Sequence, residues 1–375
     1  MPDSQPQPSH SSSGPPSGPD EAGALLLCGA RLTDGRVVDV RLGGGRIEAV
    51  GTAGSLGAGP AASGAPATRV DLGGHLLLPA PAEPHAHGDT ALSADFEGPV
   101  PYDGQDVQRR ATEAALLQLG HGATAVRSHV HVGDVQGLEA LAAVLRAGQA
   151  LRGLAELTTV AMPRVLTGVA GADGLAILRD AVKMGASVVG GCPDLDPDPT
   201  GYVEAVLEIA SEHGCPVDLH TDGDDPARLA RLAAMAAARA ADQLAAAGVT
   251  VVCLPQGGCG TVDGRSTAPV RLLRAAGVRV AAGSGALRDV SNPVGRGDPL
   301  EAAFLLASRY GLRPAEAYDA VSGAARAGLG LPEVRVEAGF PAELLAVRGA
   351  RLAGVLSLAY SRIVVHRGRV VARTS

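Results

Sequence analysis

Short apolar segments alternate with longer segments rich in Ala, Leu and Arg from residue 76 to residue 282 of the 375-residue chain. This alternation of strand and helix predicts a parallel sheet in an α/β protein, and at this length it predicts a (β/α)8 barrel of the TIM type. The predicted barrel strands cover residues 76–80, 123–132, 154–162, 187–191, 216–219, 250–254 and 278–282. One long helical pattern fills the stretch between residues 219 and 250, which predicts either that the barrel lacks its sixth strand or that this pattern hides it.

Strand patterns at both ends of the chain predict a second, smaller unit. They cover residues 24–32, 37–42, 46–50, 70–78, 342–347 and 363–371. We expect residues 24–78 and 335–375 to form a composite β-sandwich domain, with the barrel over residues 79–334. Residues 1–23 are rich in Pro, Ser and Gly, which predicts a disordered tail.

The composition disfavours several classes of partner. A formal net charge of −7 and the absence of Trp argue against binding to nucleic acid or to an acidic membrane surface. No apolar run is long enough to span a membrane, and the first residues lack a signal-peptide pattern. The five cysteines are scattered and odd in number, as is typical of reduced thiols. We expect a cytoplasmic protein.

Three histidine motifs directly follow predicted strands, where barrels carry their functional side chains. His85 and His87 are two residues apart, so on an extended segment both imidazoles face one side and can bind one metal ion. His129 and His131 repeat this spacing. They form either a second metal pair or one pocket-lining and one solvated histidine, and we favour the second interpretation. His220 ends the fifth predicted strand and is a natural third ligand.

Carboxylates follow His220 closely in the sequence. Asp222 and Asp224 are candidates for binding a metal or for acid–base chemistry. Asp222 lies two residues beyond His220, so it faces the same side if the extended conformation continues. For Asp225 we favour a role as the N-cap of a helix that begins at Pro226.

These motifs resemble those of cytosine deaminase and its relatives in the amidohydrolase superfamily, and the likeness covers most of the chain after the first 23 residues. The matching segments are Glu83-Pro84-His85-Ala86-His87, Arg127-Ser128-His129-Val130, Val160-Ala161-Met162-Pro163, Val217-Asp218-Leu219-His220 and Arg288-Asp289. Several motifs in the same order make the resemblance specific, whereas two spaced histidines alone are a weak signal.

The resemblance implies a site with one metal ion, zinc or iron, bound by His85, His87 and His220. It implies hydrolysis of a non-peptide C–N bond in a cyclic amidine or a related small heterocyclic molecule. The metal makes hydroxide available near neutral pH. Relatives of this kind often self-associate, so a homo-oligomer is compatible with the resemblance.

The chain departs from that pattern at the positions that carry the reaction. Gly223 stands where the resemblance implies a proton-shuttling Glu, and Gly285 stands where it implies a metal-binding Asp. Loss of an acid–base group typically costs roughly 10²–10⁴-fold in rate, and Asp222 and Asp224 are the candidate substitutes. Arg164 replaces a Gln that holds the edge of a pyrimidine, and its charge favours an anionic ligand.

Three interpretations follow. The chain is a working C–N hydrolase with an altered active site, in which Arg164 and His129 contact the substrate. Alternatively, it is a catalytically silent, ligand-binding or vestigial pseudoenzyme. A third interpretation is a damaged chain, because a missing barrel strand exposes the backbone groups of its neighbours.

Overall fold

The computed structural model describes residues 24–57, 67–98, 100, 102–133, 137–221, 244, 248–256, 269–358 and 360–374. The predicted tail therefore lies outside the described residues. The same holds for Asp222, Gly223, Asp224 and Asp225 and for most of the long helical pattern. Within the described ranges, no helix is both long and apolar enough to cross a membrane.

The secondary structure alternates as the sequence predicts. The strands are β1 (Leu25–Arg31), β2 (Val37–Gly43), β3 (Arg46–Thr52), β4 (Thr68–Asp71), β5 (His75–Pro79), β6 (Ala82–Ala86), β7 (Ala125–Val132), β8 (Glu156–Pro163), β9 (Val188–Gly191), β10 (Val217–Leu219), β11 (Thr250–Cys253), β12 (Arg279–Ala282), β13 (Leu344–Arg348), β14 (Arg362–His366) and β15 (Arg369–Thr374). The helices are α1 (Gly104–Gly120), α2 (Glu139–Ala150), α3 (Gly168–Met184), α4 (Pro199–His213), α5 (Val270–Ala275), α6 (Pro299–Tyr310), α7 (Pro314–Val321), α8 (Gly323–Gly328) and α9 (Leu352–Leu358).

A five-stranded parallel sheet in the order β10-β9-β8-β7-β6 forms a curled half-barrel. Helices α1 to α4 connect or follow its strands and cover its outer face. The core between sheet and helices contains Val107, Val130, Leu141, Leu178 and Val206. The α/β class predicted from the alternation is therefore confirmed.

The remaining barrel strands form a parallel pair, β11 and β12. They join the half-barrel through β6, because the N–H of Ser284, just after β12, donates a hydrogen bond to the carboxylate of Glu83 in β6. In the described part of the chain, β10 pairs only with β9 and β11 only with β12. Residues 222–243, where a sixth strand would lie, are outside the described ranges, so its absence stays a prediction.

The prediction that residues 76–80 form the first barrel strand was wrong. β5 covers this stretch and belongs to another sheet, where Leu78 pairs with Leu345 of β13 and Leu76 pairs with Arg31 of β1. The first barrel strand is β6, which the apolar pattern missed because Glu83 and a histidine lie within it.

That other sheet combines strands from both ends of the chain. It has eight strands in the order β15-β14-β13-β5-β1-β2-β3, and β4 pairs with β1. Leu27, Val40, Leu77, Leu344 and Val365 form part of its core. The predicted sandwich arrangement and its domain boundaries stay predictions.

Candidate metal centre

The candidate site lies at the carboxyl edge of the half-barrel. His85 lies in β6, His129 lies in β7, and His220 directly follows β10. The N–H of His220 donates to the carbonyl of Gly191 at 2.8 Å, which extends the sheet pairing to this residue. Because the strands are parallel, their carboxyl ends meet at one edge. His87 follows β6, and these four histidines are here called the imidazole cluster.

The rings of the imidazole cluster are in close contact. The ring of His85 stacks on that of His129 at 4.3 Å between centroids, and the ring of His220 lies 4.7 Å from each. Nε2 of His87 is 3.1 Å from Nε2 of His85. Two nitrogens bound to one tetrahedral zinc ion at about 2.0–2.1 Å lie about 3.3 Å apart. The spacing between His85 and His87 therefore suits two ligands of one ion.

Burial favours the neutral form of His85, His87 and His220. Loss of solvent, reinforced by the neighbouring imidazoles, lowers the pKa of His85 and of His220 well below the ordinary value. The same causes lower the pKa of His87 to about 3. Neutral imidazole is the form that binds metal ions.

Several ring nitrogens of the cluster lack a protein partner. Nδ1 of His87, both ring nitrogens of His129 and Nε2 of His220 are buried and accept or donate no hydrogen bond in the described part of the chain, although Nε2 of His129 lies 3.3 Å from Asp218. A buried polar atom without a partner costs about 1–3 kcal/mol. Ligand atoms of His85, His129 and His220 also lie within 4.8 Å of one another. This donor set fits a divalent transition-metal ion.

Asp218 borders the imidazole cluster from β10. Its Oδ2 lies 3.0 Å from Nη1 of Arg127 and 3.3 Å from Nε2 of His129. Burial acts to raise the pKa of the Asp218 carboxyl, but His129, His220 and Arg127 outweigh burial and hold this pKa well below its usual range. Asp218 is therefore an anion, and it favours a proton on Nε2 of His129.

Glu83 ties β6 to the segment that follows β12. Its carboxylate accepts the N–H of His85 at 3.0 Å, the N–H of Ser284 at 2.9 Å and the Ser284 hydroxyl. Burial raises the pKa of Glu83 to about 7, although these hydrogen bonds act in the opposite direction. The contact holds His85 beside the end of β12.

Gly285 lies at that end and contributes no ligand atom. Its φ of 72° is in the left-handed region, which a residue with a Cβ adopts only at a cost. The carboxylate of Asp289 nearby in the sequence is engaged elsewhere. It accepts the hydroxyl of Thr90 at 3.0 Å and the N–H of Ser291 at 2.8 Å.

The structure brings most of the candidate residues together. His85, His87, His129 and His220 form the imidazole cluster. Arg164 is exposed immediately beyond β8. His131, whose side chain is 54% exposed, bonds to a carboxylate that the sequence reasoning did not single out, Asp89.

Asp89 and Asp218 are the site residues that the sequence reasoning missed. Asp89 follows His87 by two residues, and Asp218 precedes His220 by two. On an extended backbone, side chains two residues apart face the same side. The same spacing that identified the histidine pairs was therefore an available signal for both carboxylates.

No family model matches the chain. Among curated proteins, the chain is 26% identical over 177 residues to N-isopropylammelide isopropyl amidohydrolase from Pseudomonas sp. (strain ADP). That match spans 40% of this chain and 43% of the enzyme, so it covers less than half of that relative.

Solved structures match over nearly the whole chain. N-isopropylammelide isopropylaminohydrolase from Burkholderia multivorans superposes with a TM-score of 0.81 and 27% identity, covering 94% of this chain and 98% of that one. A 5-methylcytosine deaminase from Klebsiella pneumoniae superposes with a TM-score of 0.78 and 23% identity over the same shares. These likenesses bear out the resemblance stated from the motifs.

Proposed function

We propose that this chain, a member of the amidohydrolase superfamily that resembles its deaminases, hydrolyses a non-peptide C–N bond in a small nitrogen heterocycle. The observation that carries the proposal is the imidazole cluster, whose closely packed rings offer buried nitrogens without a hydrogen-bond partner in the described part of the chain, at the edge where barrels place their active sites. As substrate we propose a cyclic amidine such as an aminopyrimidine or aminotriazine. Solved relatives are named for compounds of these two classes.

We propose His85, His87 and His220 as ligands of one divalent ion, zinc or iron, with His129 beside them. The spacing of 3.1 Å between Nε2 of His85 and Nε2 of His87 supports this assignment. A divalent ion bound here supplies Lewis acidity, which makes water a nucleophile near neutral pH. The neutral state of these imidazoles means that no proton has to be displaced when the ion binds.

Asp218 serves as a positioning residue in this proposal. Its carboxylate, held by Arg127 at 3.0 Å, faces Nε2 of His129. A proton placed on that nitrogen by the nearby carboxylate leaves the lone pair of His129 on Nδ1, which has no hydrogen-bond partner in the described part of the chain. His129 then presents an acceptor or ligand atom rather than a donor.

Proton transfer needs a carboxylate that Gly223 and Gly285 do not supply. We propose Asp222 and Asp224 for this role, because they follow His220 by two and four residues. Both lie outside the described residues, so sequence spacing alone supports them. Arg164, exposed beyond β8, is our proposed contact for a charged substituent of the substrate.

Metal content measured by mass spectrometry tests the proposal. Purified, untagged protein should contain at least one equivalent of zinc or iron, and the double variant His85→Ala/His87→Ala should contain none. The matched control is His213→Ala, because His213 is exposed at the end of α4. Protein that stays free of metal after reconstitution would contradict the proposal.

A panel of aminoheterocycles then tests the reaction. Metal-loaded protein should release ammonia or an amine from at least one member, and the double variant should not. Stabilisation by a heterocycle without any release would instead favour the catalytically silent interpretation.

A further inference from the structure

Three donors lie together on the solvent side of the imidazole cluster. Ligand atoms of His87, Asp89 and His131 are all within 4.8 Å of one another. His87 and Asp89 are buried, whereas the side chain of His131 is 54% exposed. These three residues are here called the outer triad.

The backbone of the outer triad is fixed by its neighbours. The N–H of His131 donates to Oδ2 of Asp89 at 3.0 Å, which ties β7 to the segment after β6. The buried guanidinium of Arg110 donates to the carbonyls of Asp89 and Ala91 at 3.0 and 2.7 Å. Arg110 is in turn held by Asp106 at 2.8 Å. The donors are therefore held in place by hydrogen bonds of the surrounding chain.

The donor set is that of an open metal site. Two imidazoles and one carboxylate, with further positions left for water, are a common arrangement for catalytic zinc. Nδ1 of His131 and Oδ2 of Asp89 now share a hydrogen bond of 2.8 Å, and a bound ion would replace it by moving the two atoms apart to roughly 3.3 Å. The buried Nδ1 of His87, which has no hydrogen-bond partner in the described chain, is an independent sign of a missing ligand.

Charge also favours the outer triad. The four members of the imidazole cluster supply no carboxylate, Gly285 adds none, and the neighbouring Asp218 is engaged by Arg127 and His129. Asp89, by contrast, is a fully buried carboxyl group and is itself one of the three clustered donors. A divalent ion in a buried site requires charged partners to offset its loss of hydration.

We propose that His87, Asp89 and His131 bind a second divalent transition-metal ion, such as Zn²⁺, at the solvent edge of the imidazole cluster. This goes beyond the proposed function, which requires one ion. With both ions bound, His87 would bridge them, Nε2 toward the inner ion and the unpartnered Nδ1 toward the outer ion, and its ring proton would be released to solvent. The outer ion has open positions toward solvent because the side chain of His131 is half exposed.

Zinc stoichiometry of the full chain tests this inference. Metal-free protein is reconstituted with zinc sulfate, desalted and analysed by mass spectrometry. Wild type should retain two equivalents, and His131→Gln should retain one. The matched control His213→Gln, which removes another exposed imidazole, should retain two. His131→Gln is expected to fold because its side chain is largely in solvent, and a zinc titration by calorimetry should change from two sites to one.

The inner site is tested separately with His220→Ala, which should also retain one equivalent. One equivalent in both wild type and His131→Gln, lost in His220→Ala, would overturn the second site and leave the proposed function standing. No zinc in any of these proteins would overturn both. Asp89→Asn should match His131→Gln in stoichiometry, whereas a purely structural role for Asp89 would lower its melting temperature and leave two equivalents.

Discussion

The carboxylate of Glu83 accepts both the backbone N–H and the hydroxyl of Ser284, a residue 201 positions further along the chain. Through this contact, the first barrel strand is joined to the segment after β12. The same carboxylate accepts the N–H of His85. The group that closes this side of the barrel therefore also fixes a proposed metal ligand.

Glu83→Gln should destabilise the protein although the two side chains have nearly the same shape. A glutamine presents one acceptor oxygen and one amide donor to three donors, so at least one buried group is left without a partner. We expect a loss of about 1–3 kcal/mol in the free energy of unfolding, measured with urea. Glu113→Gln on the exposed face of α1 is the control, and an equal effect in both variants would contradict the role of Glu83.

A buried ion pair links the terminal sheet to the barrel region. Nη1 and Nη2 of Arg362 in β14 lie 2.9 and 2.7 Å from the two carboxylate oxygens of Asp298. Asp298 also accepts the N–H of Leu300 at the start of α6.

Arg362→Met should lower the free energy of unfolding by about 3–5 kcal/mol, because it leaves the Asp298 charge buried without its partner. Arg362→Lys should rescue little, since lysine cannot make the two-point contact. Arg335→Met, at an exposed pair with Glu333, should change stability by less than about 1 kcal/mol. Comparable losses at both arginines in thermal or urea unfolding would count against this prediction.

Asp196 should make stability depend on pH. Its carboxylate accepts the N–H groups of Leu166 and Asp198 at 2.8 and 2.9 Å and also bonds to Thr167. Burial acts to raise the pKa of Asp196, but these hydrogen bonds outweigh burial and lower it.

A carboxyl group whose pKa is lower in the folded state than in the unfolded state stabilises the fold at pH values above its unfolded pKa, which is about 3.9 for Asp. That contribution is lost as the pH falls through the lower, folded pKa. Asp196→Asn should therefore be less stable than wild type near neutral pH, and the difference should shrink below about pH 4. Melting temperatures across this range are the measurement, and a constant difference at every pH would rule the linkage out.

Sequence reasoning located the imidazole cluster because its signal is local. Histidines two residues apart on strands identify shared faces, and parallel pairing then brings the carboxyl ends together. The partners of Asp218 and Asp89 were harder to foresee. Arg127 is 91 residues from Asp218, and His131 is 42 residues from Asp89, so these contacts depend on strand register.

The first barrel strand illustrates the opposite difficulty. β5 is strongly apolar because both of its faces are buried: Leu76 and Leu78 pack into one hydrophobic core and Leu77 packs into another. β6 contains Glu83, Pro84 and His85, and its burial is compensated by hydrogen bonds that no apolar pattern records. An assignment by hydrophobicity therefore selects the wrong one of two consecutive strands.

Restoring a carboxylate at Gly285 tests whether this position limits metal binding. Gly285→Asp should cost about 1–2 kcal/mol of stability, because φ is 72° and side chains are strained there. If the resemblance places position 285 correctly, the new anion lies beside the imidazole cluster and should strengthen zinc binding by about tenfold, or about 1.4 kcal/mol. Gly285→Asn is the matched control, since Asn has a similar shape and tolerates this backbone but has no charge.

Zinc affinities and urea unfolding of the three proteins separate the two effects: strain should be common to both variants, whereas tighter binding should appear only with Asp. Equal zinc affinity in Gly285→Asp and Gly285→Asn would mean that this end of β12 does not face the metal.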